Sequence, residues 1–326
     1  MIDTSDIDVS IANLYKIWQL FKKRKRKTEE FRNFEYYIEE NIFELSDVLS
    51  AKKYRHGGYR EFEVYENKKR LIRVAGMRDR VVHRLVYEYL YNVFDKTFIF
   101  DVWSSRKEKG LIGAIERTQE FFNTHTSYYF WRGDIHKFFD SVSQELLIKL
   151  LTRKLGNNLA MYICEQIIKS FRNKKGEETG MPIGNITSQI FANIYLNELD
   201  LFVKKKLKPV FYIRYGDDFL ILDKNTELVT KNRELVLDFI KNNLLLQLNK
   251  KNDILGKCRN GVRFLGVKIY PNGRKLLDRN YRKISKNLND RNIASYRSLI
   301  LQHSLKNLKK FDWLILEKIE NGEINI

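Results

Sequence analysis

Apolar residues recur along this chain with two periods, and the switches between them mark out the elements. Residues 9 to 50 carry Leu14, Ile17, Trp18 and Phe21 at the spacing of one helical face, and the whole stretch reads as helical. Residues 60 to 75 alternate instead: Phe62, Val64 and Tyr65, then Leu71, Ile72 and Val74, separated by Asn67-Lys68-Lys69, which predicts a hairpin. The helical period returns over 78 to 95 with Val82, Leu85, Val86, Tyr89, Leu90 and Val93. Tyr128-Tyr129-Phe130-Trp131-Arg132-Gly133-Asp134-Ile135 predicts an aromatic-rich strand that ends on an acid. Helices are predicted over 143 to 171 and 186 to 206, the second entered through Gly180-Met181-Pro182-Ile183-Gly184-Asn185. Two β-prone runs, 210 to 215 and 219 to 222, flank a Gly-Asp pair, the strongest hairpin signal in the chain. A helix over 226 to 246, a β element over 262 to 270 and helices over 280 to 322 follow. This order predicts an α+β fold, with helices on one face of a small sheet.

Composition narrows the function. Apolar residues make up 43% of the 326 positions and aromatics 13%, enough for a sizeable core and against disorder. Only three prolines occur, and no Gly/Ser linker or internal repeat, so the subdomains should pack without a flexible tether. Lys and Arg number 60 against 41 Asp and Glu, a formal charge of +19, which points to a polyanionic partner. Binding should then weaken with salt, by about 0.7 to 0.9 log units per decade for each neutralised phosphate. The run Lys22-Lys23-Arg24-Lys25-Arg26-Lys27 reads equally as a solvated helix face or a phosphate-contacting strip. Cys164 and Cys258 stand far apart and neither has zinc-ligand spacing, which excludes a disulfide scaffold and a zinc site. No apolar run reaches the roughly 18 residues of a membrane span, and the first ten residues lack the basic start of a signal peptide. No Walker A box is present, and the 60 residues after Gly266 are short for a thumb plus a nuclease domain. A nuclease, helicase or ATPase is therefore not expected here.

Three acids, Asp134, Asp217 and Asp218, each follow a hydrophobic run that should place them at strand ends. Carboxylates held together repel and resist ionising unless a cation joins them. With all-oxygen ligands the expected cation is magnesium, and two such ions about 4 Å apart are standard for in-line nucleotidyl transfer. Taken singly, a Gly-Asp-Asp turn is ordinarily just a turn, and Asp134 could be a helix N-cap. Taken together they are read otherwise, because their spacing and neighbours match those of one family.

Tyr215-Gly216-Asp217-Asp218 resembles the YxDD box of reverse transcriptases, and Asp134-Ile135-His136-Lys137-Phe138-Phe139-Asp140 resembles their first catalytic box. Ile183-Gly184-Asn185-Ile186-Thr187-Ser188-Gln189 has the place of the template- and nucleotide-contacting box, and Phe264-Leu265-Gly266 resembles the primer grip. Arg70-Leu71-Ile72-Arg73 and Arg78-Asp79-Arg80-Val81-Val82-His83 resemble the fingers segment over the incoming triphosphate. The boxes occur in order across roughly residues 60 to 275. The resemblance implies a right-hand polymerase: an N-terminal helical extension (1–50), fingers (51–125, with part of 141–180), palm (126–275) and a short helical thumb (276–326). Most relatives carry QGxxxSP in the middle box. Ile183 and Gln189 instead resemble the [ILV]GxxxSQ of diversity-generating retroelements, as does the variant segment Asp101-Val102-Trp103-Ser104-Ser105-Arg106-Lys107-Glu108-Lys109-Gly110.

That resemblance implies a set of roles. Asp134, Asp217 and Asp218, with the Ile135 carbonyl, would hold two Mg2+ ions. Arg70 and Arg73, with Lys69, would hold the triphosphate; Phe139 would exclude a ribose 2′-hydroxyl; Gly184 and Gln189 would meet the nucleotide. Ile183, Ser188, Tyr215, Gly216, Phe264, Leu265 and Gly266 would face template or primer, and Lys250 or Lys251 the pyrophosphate. Ile183 in place of Gln would loosen selection, since about 1.4 kcal/mol already changes discrimination tenfold. The implied activity is error-prone copying of a template-repeat RNA into cDNA, with substitutions at adenines, in the cytoplasm, by a bacterial or phage-encoded enzyme. The implied partners are template RNA, primer, dNTPs and a small basic accessory variability determinant, with no membrane. A retron or abortive-infection reverse transcriptase, or an idle RNA-binding relic of a polymerase, are the alternatives.

Overall fold

The structure, a computed structural model, describes residues 6–23, 25–65, 69–173, 176–301, 303 and 305–324. Three helices come first, α1 (Ile11–Lys22), α2 (Glu29–Tyr36) and α3 (Ile38–Ser50). The hairpin β1 (Tyr59–Tyr65) and β2 (Lys69–Ala75) precedes α4 (Met77–Phe94), α5 (Leu111–Thr124) and β3 (Tyr129–Asp134). Helices α6 (Phe138–Ser141), α7 (Gln144–Leu155), α8 (Leu159–Lys169) and α9 (Ile186–Phe202) lead to the hairpin β4 (Phe211–Tyr215) and β5 (Asp218–Asp223). After α10 (Thr226–Asn242) come β6 (Ile254–Lys257), β7 (Val262–Phe264), β8 (Val267–Tyr270) and β9 (Gly273–Leu276). The chain then runs through α11 (Asp278–Asn287), α12 (Ile293–Leu301) and α13 (Leu305–Glu320).

The long helical stretch expected over 9 to 50 is three helices. Ser10 and Thr28 each cap a helix start, accepting from Asn13 N and Phe31 N. The basic run begins on Lys22, the last residue of α1, and its described residues Lys23 and Lys25 to Lys27 precede α2, where like charges one turn apart disfavour helix. Lys22 and Lys27 both reach Glu35, at 3.4 and 3.6 Å, and Lys25 lies over the Phe21 ring. The expected helix over 143 to 171 likewise breaks, at Gly156 (φ 69°) and the capping Asn158. Helix α5 and the strands β6 and β9 add elements that the apolar pattern did not single out. Arg24 and the predicted turn residues Asn67 and Lys68 lie outside the described residues.

The chain forms two compact units. The first comprises Met1–Phe100, Asp134–Leu207 and Leu235–Lys250. Its core is α9 against α4: Ile190, Phe191, Tyr195, Leu196 and Leu199 are fully buried, as are Val81, Val82, Leu85, Val86 and Leu90. Each such side chain contributes about 1.5–3 kcal/mol by leaving water. Helix α1 closes this core with Trp18, whose ring meets Phe31 and Phe34 at 5.1 Å each. The β1–β2 ladder pairs antiparallel from Tyr59↔Ala75 to Tyr65↔Lys69.

The second unit comprises Asp101–Gly133, Lys208–Glu234 and Lys251–Ile326. Its main sheet has the order β4-β5-β3-β6, and β7-β8-β9 form a second sheet. Strands β4 and β5 are apolar without alternation because both of their faces are covered. On one face Phe211, Ile213, Leu220 and Leu222 join Ala114, Ile115 and Phe122 of α5, and the Phe121 ring stacks on Phe211 at 3.6 Å. On the other, Tyr212, Phe219 and Ile221 are fully buried, and Trp131 of the neighbouring strand β3 meets Phe219 edge-on at 5.2 Å. The Trp131 indole N–H donates to Asp253 at 2.8 Å, and Arg233 pairs with the same carboxylate.

Cys164 and Cys258 are buried and free, and burial raises both thiols, that of Cys258 to about 12. Among the described residues no helix is long and apolar enough to cross a membrane.

Candidate active site

The β4–β5 hairpin closes through a two-residue loop. Tyr215 pairs with Asp218, leaving Gly216 and Asp217 as the turn. Gly216 has φ 65° while Asp217 stays at negative φ, the signs of a type II′ turn, whose first central residue favours glycine. The turn is braced from below. Arg214, fully buried, donates from Nη1 to the Gly216 carbonyl at 2.9 Å, and the Gly216 N–H donates to Ser104 Oγ at 2.9 Å. The segment 101 to 104 runs beside β4: Arg214 N donates to Asp101 O, and Trp103 N donates to Arg214 O. The variant segment singled out in the sequence thus supports the acidic turn. Burial holds the Tyr215 hydroxyl above its ordinary pKa.

Asp217 and Asp218 stand together at this turn and are partly shielded. Both carboxylate oxygens of Asp218 accept from Arg132 of β3, Nε to Oδ1 at 2.9 Å and Nη2 to Oδ2 at 2.6 Å. Asp134 is the last residue of β3, and alternation puts it on the same face as Arg132. Its Oδ2 accepts from Asn249 Nδ2 at 2.9 Å and its carbonyl from Asn249 N at 2.8 Å. Ile135 is buried and bridges to Leu248. Lys250 and Lys251 follow Asn249 in an exposed 3-10 turn. Among the described residues no group of three or more His, Cys, Asp or Glu side chains converges on a point that could hold a metal ion. The donor chemistry nonetheless suits a hard divalent ion: carboxylate and carbonyl oxygens.

The middle box is anchored to β2. Gly184 (φ 121°) lies against that strand: a Cβ there would be 2.8 Å from Ile72 Cγ2 and 3.1 Å from Arg73 O. Arg73 N donates to Ile183 O at 2.8 Å. Asn185 stitches the start of α9 to β2, accepting from Ala75 N at 3.2 Å and donating to Arg73 O at 2.8 Å. Ser188 is buried and donates to Pro182 O at 2.7 Å, whereas Gln189 is exposed and Ile183 half-buried. Behind them His83 bonds Thr187 Oγ1 through Nδ1 and His56 through Nε2, and burial drives its pKa down to about 3.

Arg70 and Arg73 are three apart on one strand and so point to opposite faces. The structure does not bring them together. Arg73 pairs with Glu61 and lies over the Phe171 ring at 4.9 Å, while Lys69 pairs with Glu63 at 2.7 Å. Phe138 is buried against Tyr195, and Phe139 is half-buried on the helical turn α6 rather than on a strand, so the two rings diverge.

Leu265 and Gly266 form the two-residue turn between β7 and β8, with φ 51° and 85°, the signs of a type I′ turn. Phe264 is buried in the core of the second unit, and Gly266 O accepts from Asn280 Nδ2 at 2.8 Å. Sequence reasoning named Arg132, Ser104 and Asn185 only within a strand, a segment and a box, and gave neither them nor Asn249 a role of its own. Each acts through a contact distant in sequence, which no local period reveals.

Residues 54–269, two thirds of the chain, match the family of the reverse transcriptase, an RNA-dependent DNA polymerase. The chain belongs to the reverse transcriptase family. It is 24% identical to protein YkfC of Escherichia coli over 62% of this chain and 63% of that protein. It is 22% identical to the group II intron-encoded protein LtrA of Lactococcus lactis, over 72% of this chain and half of LtrA. The chain therefore spans less than two thirds of these relatives' length. Telomerase from Candida albicans, solved with a fragment of telomeric RNA, superposes with a TM-score of 0.54 at 12% identity, covering 83% of this chain and 57% of that one. Apo telomerase from Candida tropicalis gives the same score and identity. The fold of this reverse transcriptase family member is thus α+β, of the right-hand polymerase kind expected.

Proposed function

We propose that the chain is an RNA-directed DNA polymerase whose reacting centre is built on Asp134, Asp217 and Asp218. The observation that carries this is the Tyr215-Gly216-Asp217-Asp218 turn, braced by Arg214 and Ser104, within a reverse transcriptase match. In this reading the three carboxylates and the Ile135 carbonyl hold two magnesium ions. Bound there, magnesium would supply Lewis-acid stabilisation of phosphoryl charge and ease deprotonation of the attacking 3′-hydroxyl. Asn249 fixes the Asp134 carboxylate, and the brace under Gly216 sets the direction of Asp217. Phe139, bulky and half-buried, blocks a ribose 2′-hydroxyl. Arg70 or Arg73 holds the triphosphate singly, since they face opposite ways, with Lys69 and either Lys250 or Lys251 as further cationic contacts. Template, primer and nucleotide are met by Ile183, Gly184, Gln189, Tyr215, Gly216, Leu265 and Gly266, whereas Ser188 and Phe264, expected to face them, are buried and support these positions from beneath. The division into extension (1–50), fingers (51–125, with part of 141–180), palm (126–275) and thumb (276–326) belongs to the same reading.

The finer proposal is the diversity-generating type. Ile183 and Gln189, at the places where most relatives carry Gln and Pro, support it: a half-buried isoleucine offers the incoming nucleotide no hydrogen bond. Error-prone cDNA with substitutions at adenines, and a basic accessory partner, follow from that type. The similarity to the group II intron-encoded protein LtrA favours a second reading, a reverse transcriptase outside the diversity-generating type.

Primer extension on an RNA template with magnesium and dNTPs, with every product sequenced, tests both. We expect cDNA from the wild type and at least a ~1000-fold loss in Asp217→Ala, equivalent to about 4 kcal/mol of barrier. Substitutions clustered at template adenines support the diversity-generating type, and faithful cDNA supports the second reading. No cDNA, with RNA still bound, overturns the polymerase reading in favour of an RNA-binding relic.

A further inference from the structure

Arg132 belongs to none of the boxes that define the family resemblance, yet its guanidinium joins two of them. One edge of the plane clamps both oxygens of Asp218. The remaining nitrogen, Nη1, donates to the carbonyl of Arg263 at 2.5 Å. The guanidinium also lies 5.9 Å from the centre of the buried Phe264 ring. Arg132 and Asp218 are well shielded, with side-chain exposures of 13% and 16%.

The carbonyl is available for a structural reason. A two-residue turn makes Phe264 and Val267 the hydrogen-bonded pair of the β7–β8 hairpin. The next pair, Arg263 and Lys268, is therefore non-hydrogen-bonded, and the Arg263 carbonyl points away from β8. Strand β7 is the edge of its sheet, so no further strand meets that carbonyl. Arg132 fills the place. A guanidinium is planar and presents its donors in a fixed fork, so fixing one edge on Asp218 fixes where the third nitrogen aims. A lysine ammonium could satisfy one contact without transmitting orientation to the other.

We propose that Arg132 is a positioning residue that couples the orientation of the Asp218 carboxylate to the placement of the β7–β8 hairpin, and through Phe264-Leu265-Gly266 to the primer end. The inference rests on the polymerase reading for its functional consequence, but the mechanical coupling stands on the geometry alone. The partners of a ligating carboxylate commonly matter 10–100-fold.

The test uses the full chain with Arg132→Met, Arg132→Lys, Asp218→Asn and the double variant Arg132→Met/Asp218→Asn. Amide hydrogen exchange across residues 262 to 270 reads the coupling without any metal, nucleotide or turnover. Arg132→Met and Asp218→Asn should each speed exchange in the hairpin, and the double variant should be no faster than the faster single one. Hairpin exchange in Asp218→Asn equal to wild type would overturn the coupling. In primer extension, Arg132→Met should lower kcat roughly 10–100-fold and raise the KM for primer–template. Arg132→Lys, which keeps the charge and guards against a folding defect, should recover only part of either. Full recovery by lysine would reduce Arg132 to a source of charge and sink the proposal. A wild type that makes no cDNA counts against the polymerase reading, and the exchange result then still decides the coupling.

Discussion

Gly184 and Gly216 each sit at positive φ inside a motif, one in each compact unit, and they are glycine for different reasons. At Gly184 a Cβ would strike the side chain of Ile72 and crowd the Arg73 carbonyl. At Gly216 a Cβ would meet nothing within 4 Å. Packing dictates the first, and backbone direction alone dictates the second. A motif glycine is thus not by itself a mark of ligand approach: Gly184 is accounted for by β2. The open space over Gly216 is where close approach to the acidic turn remains available.

Gly184→Ala should have the largest effect on stability. It adds an overpacking cost of about 1–3 kcal/mol to a backbone cost of about 1–2 kcal/mol, so a loss of roughly 2–5 kcal/mol is expected. Urea unfolding measures it, and a loss below about 1 kcal/mol would mean that β2 yields readily and the contrast is false. Gly216→Ala carries only the backbone cost, about 1–2 kcal/mol. It should nevertheless reduce primer extension, because the turn that presents Asp217 must shift. Equal stability losses in the two variants would erase the distinction. Ser104→Ala comes next, at about 0.5–1.5 kcal/mol, since the Gly216 N–H loses the acceptor that braces it.

The same contrast explains what could be read from the chain in advance. The acidic hairpin was legible because its signals are local: two β-prone runs, a Gly-Asp pair and acids after apolar stretches. The α4 and α9 helices were legible because their buried faces repeat along the sequence. The breaks at Lys23 to Thr28 and at Gly156 were marked by caps and a glycine, but a continuous apolar stripe on either side masked them. Helix α5 carries Ala114, Ile115, Thr118 and Phe122 at helical spacing, yet Gly110 and Gly113 at its start, poor helix formers, weaken that signal. The braces of the site could not be read at all. Asn185 meets β2 across 110 residues and Asn249 meets Asp134 across 115, distances over which a single sequence carries no pairing signal.

Leu265 completes the comparison from the other side. It occupies φ 51° in the type I′ turn, where asparagine is the favoured side chain with a Cβ. Leucine there pays part of the left-handed penalty, and the half-buried side chain packs on the core of the second unit, returning part of it. The two terms oppose each other at similar size. Leu265→Asn should therefore change stability by no more than about 0.5–1 kcal/mol. Leu265→Val, β-branched and stiff in this region, should lose about 1 kcal/mol or more, because it keeps the strain and gives up packing. If asparagine instead proved as costly as valine, packing and not backbone direction would govern this turn. The β7–β8 hairpin would then stand with Gly184 rather than with Gly216.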